Sequence, residues 1–242
     1  MPAREGFRLP REGILFLAVP DGAVPAMAAR IRTMKPPQDL SVVHLSGALG
    51  LDALSDAGVG SIGSFHPLQS FPFPRPPEAF RGVTIAVDGS TPPLRRQLEA
   101  FARTLGATPK RVTGDQRTVY HAAAVFASNF VNVAFAEGVR LLEGLGWSAK
   151  DSVAALLPLL DGAVANIHAR GPVGALTGPI RRGDADTVRR HLATVDNPDL
   201  YRMLALVALR IATEAGLAPK AAERTRRALT RNVAATRRRR SR

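Results

Sequence analysis

The sequence predicts an α/β domain built on a mostly parallel sheet, followed by an all-α domain, and three observations carry that reading. Up to about residue 112, short apolar runs alternate with helical or turn segments, the pattern of an open parallel sheet. From Thr113 onward the chain shows only helical periodicity, broken by glycine, proline and capping residues. The composition, 45% hydrophobic, 22% charged and 5% aromatic, is that of a globular chain with closely packed helices.

The elements follow in order. Ile14 to Asp21 reads ILFLAVPD, a buried strand and a tight turn. An apolar run of this kind suits a central parallel strand whose C-terminal end opens onto a ligand crevice. Ala23 to Arg32 forms a short helix stopped by Pro36-Pro37, and Leu40 to Leu45 is a second strand ending in Ser46-Gly47. Leu51 to Ser55 forms one or two helical turns, and Val59 to Phe65 is a third strand running into His66-Pro67. A proline-rich loop with Phe71, Phe73 and Phe80 leads to strand Val83 to Val87. Thr91 caps a helix from Pro92 to Leu105, where a proline without an N–H costs nothing in the first turn. Pro109 to Val112 is the last strand.

Asp115 to Leu145 reads as one long helix, ended by Gly146. Ser148 caps the next, with Asp151 placed for a reciprocal capping box; it runs to about Ala169 and kinks at Pro158. Asp184 caps the helix that contains DTVRRHLATV, Asn197-Pro198 opens another through about Ala215, and Pro219 starts the last. The expected domains are therefore a sheet domain at 1–112, a helical domain at 113–232 and a basic disordered tail at 233–242.

Composition narrows the function classes. With no cysteine there are no disulfides or thiolate metal sites, and no two of the five histidines stand at metal-binding helical spacing. Of the net charge of +13, +9 lies between Lys220 and Arg242, where ten Lys/Arg face one Glu. The basicity belongs to a tail and not to a folded face, which makes nucleic acid an unfavoured partner. No uninterrupted apolar run nears the ~20 residues that span a bilayer. Pro20 and Asp21 interrupt the one N-terminal segment that imitates a signal peptide, so a cytoplasmic protein with no membrane partner is expected.

Five motifs carry candidate chemistry. Gly58-Val-Gly60-Ser-Ile-Gly63 matches GxGxxG by letter, but it leads into a strand where a pyrophosphate site needs a helix N-terminus, so it is not a dinucleotide fingerprint. His44, Ser46 and Gly47 close the second strand and either face a ligand or form a half-buried residue and a plain turn. His66, followed by Gln69, closes the third strand on the same edge and is the better proton-transfer candidate, although a structural histidine fits there too. On one continuous helix His121, Ser128 and Asn132 fall within about 20° of one face, with Asn129 to one side. Such a polar stripe needs partners, either a ligand cleft or neighbouring helices. Thr177, ahead of Gly178-Pro179 and of Arg181 and Arg182, lies in a loop that suits an anionic substrate as well as it suits a plain linker.

Taken in order, AVPD, HLSGALGLDAL, GSFHPLQSFP, YHAAAVFASNF, LLPLL and ALTGPIRRGD resemble a bacterial family of Rossmann-like proteins with a C-terminal helical domain of unknown function. That family is related to ketopantoate and pyrroline-carboxylate reductases and to prephenate and 6-phosphogluconate dehydrogenases. The resemblance runs from about Gly13 to Leu217. It implies an NAD(P)-dependent oxidoreductase-like architecture, NADP or NAD as cofactor, a small and anionic metabolite as substrate, and a homodimer formed through the helical domain. His66-Pro67 is similar to the His-Pro after the corresponding strand of prephenate dehydrogenases. The long helix is similar to the one bearing a lysine and an asparagine in ketopantoate reductases; no lysine lies between Arg111 and Lys150 here, which leaves His121 and Asn129 as the nearest substitutes.

Members of that family begin with a strand, GxGxxG and a helix ahead of the strand that starts here at Gly13. At roughly 30 residues per unit, the resemblance implies that about 60–70 residues are expected ahead of Met1, absent either because the coding start was set too far downstream or because the chain is naturally short. Ala18, Val19, Pro20, Ser46 and Gly47 are then expected to reach only the nicotinamide half of a dinucleotide, and the chain as given is not expected to bind one. The alternatives are a non-catalytic ligand-binding or dimerisation module and, less favoured, a basic-tailed nucleic-acid binder.

Overall fold

A computed structural model describes residues 8–230, so the expected tail at 233–242 lies outside the described residues. The chain divides into two compact units, residues 1–132 and 133–242.

The first unit is built on five strands: β1 (Gly13–Leu17), β2 (Leu40–His44), β3 (Ser61–Pro67), β4 (Thr84–Gly89) and β5 (Thr108–Arg111). They lie in sequence order across the sheet. The pairs β1–β2, β2–β3 and β4–β5 are parallel, whereas β3–β4 is antiparallel. β1, β2 and β3 therefore end on one edge, and β4 ends on the opposite one. The mostly parallel α/β class expected from the sequence is the class observed.

Alternation along each strand sorts the core into two layers. Val42 faces α1 (Val24–Thr33), with Val24, Ala28 and Ile31, and the 3-10 segment Leu51–Ala57, with Leu54 and Ala57. Val43, Phe65, Ile85 and Val87 face α2 (Pro92–Thr104), which buries Leu94, Leu98 and Ala102 at helical spacing. Thr91 caps α2 as expected, its Oγ1 accepting from the Leu94 amide at 3.4 Å.

Beyond β5 the single long helix of the sequence reading is two helices. α3 (Arg117–Ala127) and α4 (Asn129–Glu143) meet at Ser128, whose φ of −125° and ψ of −71° leave the helical region. The reciprocal capping box occurs not at Ser148 but at the start of this region, between Thr113 and Gln116. Ser148 does cap the next helix, accepting from the Asp151 amide at 3.1 Å, but the Asp151 carboxylate takes the Ser148 hydroxyl and not its backbone N–H.

The second unit continues with α5 (Ala149–Gly174), α6 (Gly178–Arg182), α7 (Ala185–Thr194), α8 (Pro198–Glu214) and α9 (Pro219–Thr230). The sharp break in α5 falls at Gly171, which takes a positive φ of 67°, and not at Pro158. Proline costs a helix one hydrogen bond, whereas a positive φ ends it. Asp184 and Asn197 cap α7 and α8 through the amides of Thr187 and Leu200 at 3.0 and 3.2 Å. Val188, Leu192, Leu209, Ala212, Ala228 and Leu229 form the core that α7, α8 and α9 share.

Two helical stretches, Gly114–Glu143 and Ala149–Arg182, hold 18-residue windows of mean hydropathy 1.4 and 1.3, long and apolar enough by composition to cross a membrane, although polar residues interrupt the apolar run in each. Both stretches are interrupted, at Ser128 and at Gly171.

Candidate active site

The edge where β1, β2 and β3 end carries the site. Register places Leu17 beside His44 and His44 beside Ser64, so the segments after these strands are neighbours. Ser46 shapes the turn after β2: its Oγ accepts from the amides of Ala48 and Leu49 at 3.1 and 3.0 Å. Its own amide donates to Nδ1 of His44 at 3.2 Å. That contact fixes the His44 tautomer, because an accepting Nδ1 leaves the proton on Nε2, which faces the Gly50 carbonyl at 3.1 Å. His44 is fully buried and both its ring nitrogens are engaged. It is a structural histidine, and of the two readings open to it, facing a ligand as a substrate-binding residue or packing as a strand residue, the burial and hydrogen bonds favour the second.

His66 lies two residues beyond Ser64 on β3. Its Nδ1 meets the hydroxyl of Tyr120 on α3 at 2.8 Å, with the two rings edge to face at 88°. Its Nε2 has no hydrogen-bond partner among the described residues. The ring rests on Gly47: a Cβ added there would stand 2.8 Å from both Cε1 and Nε2 of His66 and 3.0 Å from Cδ2 of His121. His66, His121 and Gly47 thus converge at one point.

Arg117, at the first turn of α3, completes the cluster. It is 1% exposed. Its Nη1 donates to the Ser46 carbonyl at 2.9 Å and its Nη2 to the Ser64 hydroxyl, while Nε has no partner. No carboxylate stands within ion-pair distance of Arg117 among the described residues; buried Asp88, whose charge favours the guanidinium from further off, lies 3.5 Å from Arg111. A buried cation without a direct ion-pair partner is costly and raises the potential around it. Burial, and then Arg117, hold the imidazoles of His66 and His44 down to about 4. Both rings are neutral at pH 7. Burial also raises the phenol of Tyr120, against the opposing pull of Arg117.

The remaining candidates stand elsewhere. Ala18, Val19 and Pro20 follow β1 on the same edge, where Pro20 closes a turn by accepting from the Ala23 amide at 2.8 Å. Gln69 is exposed and its Oε1 accepts from the next amide, Ser70, at 2.8 Å. Ser128 and Asn132 flank the break between α3 and α4 and bond to one another through the Asn132 amide and the Ser128 carbonyl. Because the helix is not continuous there, their angular alignment with His121 does not carry across, and Asn129 loses its assumed bearing with them. Thr177 is exposed and gives α6 no side-chain cap. Arg181, read as a possible anion holder, donates to the Ala215 carbonyl at the end of α8 at 2.9 Å.

Arg117 and Tyr120 were missed. Their signal was the i, i+3 spacing that puts both on one face of α3.

Residues 83–233 match the family DUF2520, a domain of unknown function. The chain belongs to that family. Among solved structures, this DUF2520 protein is similar to the "putative NADP oxidoreductase BF3122" of Bacteroides fragilis, with 26% identity over 84% of this chain and 75% of that one and a TM-score of 0.68. It is also similar to protein TM1727 of Thermotoga maritima, with 23% identity, 87% and 81% of the chains covered and a TM-score of 0.71. The pyrroline carboxylate reductase of Plasmodium falciparum, solved with NADP bound, shares the fold at 11% identity, covering 88% and 77% with a TM-score of 0.54. No curated protein matches the chain. The fold is thus the Rossmann-like, oxidoreductase-type fold with a helical C-terminal part.

The described residues do not fit a dinucleotide pyrophosphate, which needs free amides at a helix start on the ligand edge. At the start of α1, Pro20 and Pro25 have no N–H, Ala23 donates to Pro20, and Asp21 adds a negative charge. At the start of α2, on the opposite edge, Pro92 and Pro93 have no N–H and Leu94 donates to Thr91.

Proposed function

We propose that this DUF2520 protein carries the substrate-side and proton-transfer part of an NAD(P)-dependent oxidoreductase-like site for a small anionic metabolite, with His66 as the group that exchanges the proton. One observation carries the reading: a neutral imidazole, fixed through Nδ1 by Tyr120, with Nε2 unpartnered beside Gly47 at the ligand edge. A phenol donates readily to an imidazole nitrogen, which leaves the His66 proton on Nε2, ready for a carbonyl or imine acceptor. Arg117 supplies positive potential for an anionic substrate. Ser46, Gly47 and Ala18 to Pro20 would border the nicotinamide half, and no step here depends on it. The fold shared with an NADP-bound reductase supports this reading.

The test titrates NADH and NADPH into this chain and into one extended by the coding sequence upstream. This chain should show no micromolar binding. The extended form should bind and reduce small 2-oxo acids or cyclic imines, with His66→Gln losing at least about a hundredfold. Micromolar binding by the short chain would overturn the pyrophosphate argument, and full turnover by His66→Gln would overturn the role of His66. The same proline-blocked helix starts favour a second reading, a non-catalytic ligand-binding or dimerisation module. It would be supported by tight metabolite binding without turnover.

We infer that a second copy of the chain covers the apolar helices. Leu159, Val164 and Ile167 on α5 and Met203, Leu204 and Val207 on α8 are exposed, a concentration of apolar surface uncommon on a monomer. Sedimentation equilibrium should give a dimer, and Met203→Glu should shift it to monomer. A monomeric parent chain would refute this.

A further inference from the structure

The pair His66–Tyr120 and the unpaired Arg117 have a consequence beyond holding one ring in place. We propose that Tyr120 is the second proton carrier of the site and that Arg117 is the fixed cation that stabilises its phenolate. The proposal rests on the reading of His66 as the proton-exchange group. Both new residues are positioning residues, since they act through His66.

Three features on α3 and the sheet edge support it. The Tyr120 hydroxyl is 2.8 Å from Nδ1 of His66, within range of direct transfer. Arg117 precedes Tyr120 by three residues, is buried, and has no carboxylate within ion-pair distance among the described residues, with Asp88 acting on it only from further off. Its Nε is unpartnered, so the guanidinium keeps capacity to stabilise a new anion. The charged and titratable groups that face His66 are Arg117, Tyr120 and His121 from α3, His44 from β2 and Asp21 from the turn after β1. Arg117 and the histidines disfavour a lasting imidazolium, so a proton leaving Nε2 is best replaced as it departs.

The step balances. The Nε2–H bond of His66 breaks and its proton joins a lone pair of the bound metabolite. The O–H bond of Tyr120 breaks and its proton joins Nδ1, leaving the bonding pair on the phenolate oxygen. His66 ends as the other neutral tautomer; the site is restored when solvent delivers a proton to Nε2 and the Nδ1 proton returns to the phenolate oxygen. Arg117 lowers the cost of that phenolate, as an opposite charge does for any acid.

The test reads ring nitrogens and phenol directly, in the full chain without cofactor. With ¹⁵N-histidine, His66 should appear at pH 7 as a single neutral Nε2–H tautomer whose Nδ1 accepts a hydrogen bond. Tyr120→Phe should relax it to a tautomer mixture. The chain has two tyrosines, so Tyr201→Phe leaves Tyr120 as the only phenol for an ultraviolet titration. In that background Arg117→Met should raise the phenol titration by about 1–3 pH units and Arg117→Lys by less. A His66 proton resident on Nδ1, or a phenol titration unmoved in folded Arg117→Met, would overturn the proposal. If Arg117→Met does not fold, the His66 tautomer in Tyr120→Phe decides: no change refutes the relay. These spectra do not depend on turnover, so failure of the oxidoreductase reading would leave them intact and be told apart.

Discussion

In the extended form, Gly47→Ala should lower turnover about a hundredfold while the chain stays folded. A Cβ at this position would stand 2.8 Å from two atoms of the His66 ring, closer than carbon and nitrogen tolerate. The ring cannot simply swing aside, because Nδ1 is held by Tyr120, and His121 Cδ2 also stands 3.0 Å from the added Cβ. His66 must shift by several tenths of an ångström, and a misplacement approaching 1 Å can cost about a hundredfold in rate. Overpacking of this kind costs roughly 1–3 kcal/mol of stability, within what a domain tolerates. Urea unfolding and the His66 ¹⁵N spectrum check the two halves separately. A wild-type spectrum together with wild-type turnover would show that the Gly47 backbone yields and does not set the ring.

Acid should destabilise the first unit before its carboxylates titrate. His44 has both nitrogens committed in a buried turn, and its ionisation is held down to about 4 against an ordinary value of 6.5. The unfolded chain therefore binds the proton first as the pH falls. The stability that the neutral ring contributes is complete above about 6.5 and is lost as the pH falls toward 4. Between pH 7 and pH 5 His44 alone should cost about 2 kcal/mol, and His66, held down in the same sense, adds to it. Urea melts across this range would record the slope, and His44→Asn should flatten it in part. A stability independent of pH over that window would mean that the histidines are not held neutral.

β1 to β4 were legible because each carries a short apolar run bounded by proline, glycine or aspartate, whereas β5, Thr108–Arg111, is polar; the five observed strands fall within about two residues of the expected ones. The caps at Thr91, Asp184 and Asn197 were legible for a similar local reason, since a polar side chain at a helix start bonds the amide three residues on. The break at Ser128 was hidden. Ala127-Ser128-Asn129 contains neither proline nor glycine, so periodicity ran straight through it and aligned Ser128 and Asn132 with His121. Arg117 was hidden differently, because a lone arginine in a first helical turn reads as solvated. What buries it are Ser46 and Ser64, 71 and 53 residues away in sequence. His66 was found because a strand end is visible locally, whereas the groups that tune it come from another element.

The antiparallel course of β4 reaches further than the sheet. It sends the positive end of α2 to the far edge, while α1 opens on the near edge behind a 3-10 turn that begins with Asp21. Neither helix dipole is left to draw an anion toward His66, and the attraction falls to one guanidinium sealed from water. Surface fields fade with ionic strength, but a buried charge is screened much less. Selection for the proposed anionic metabolite would thereby be set by short-range placement and not by long-range capture, and should persist at high ionic strength as at low.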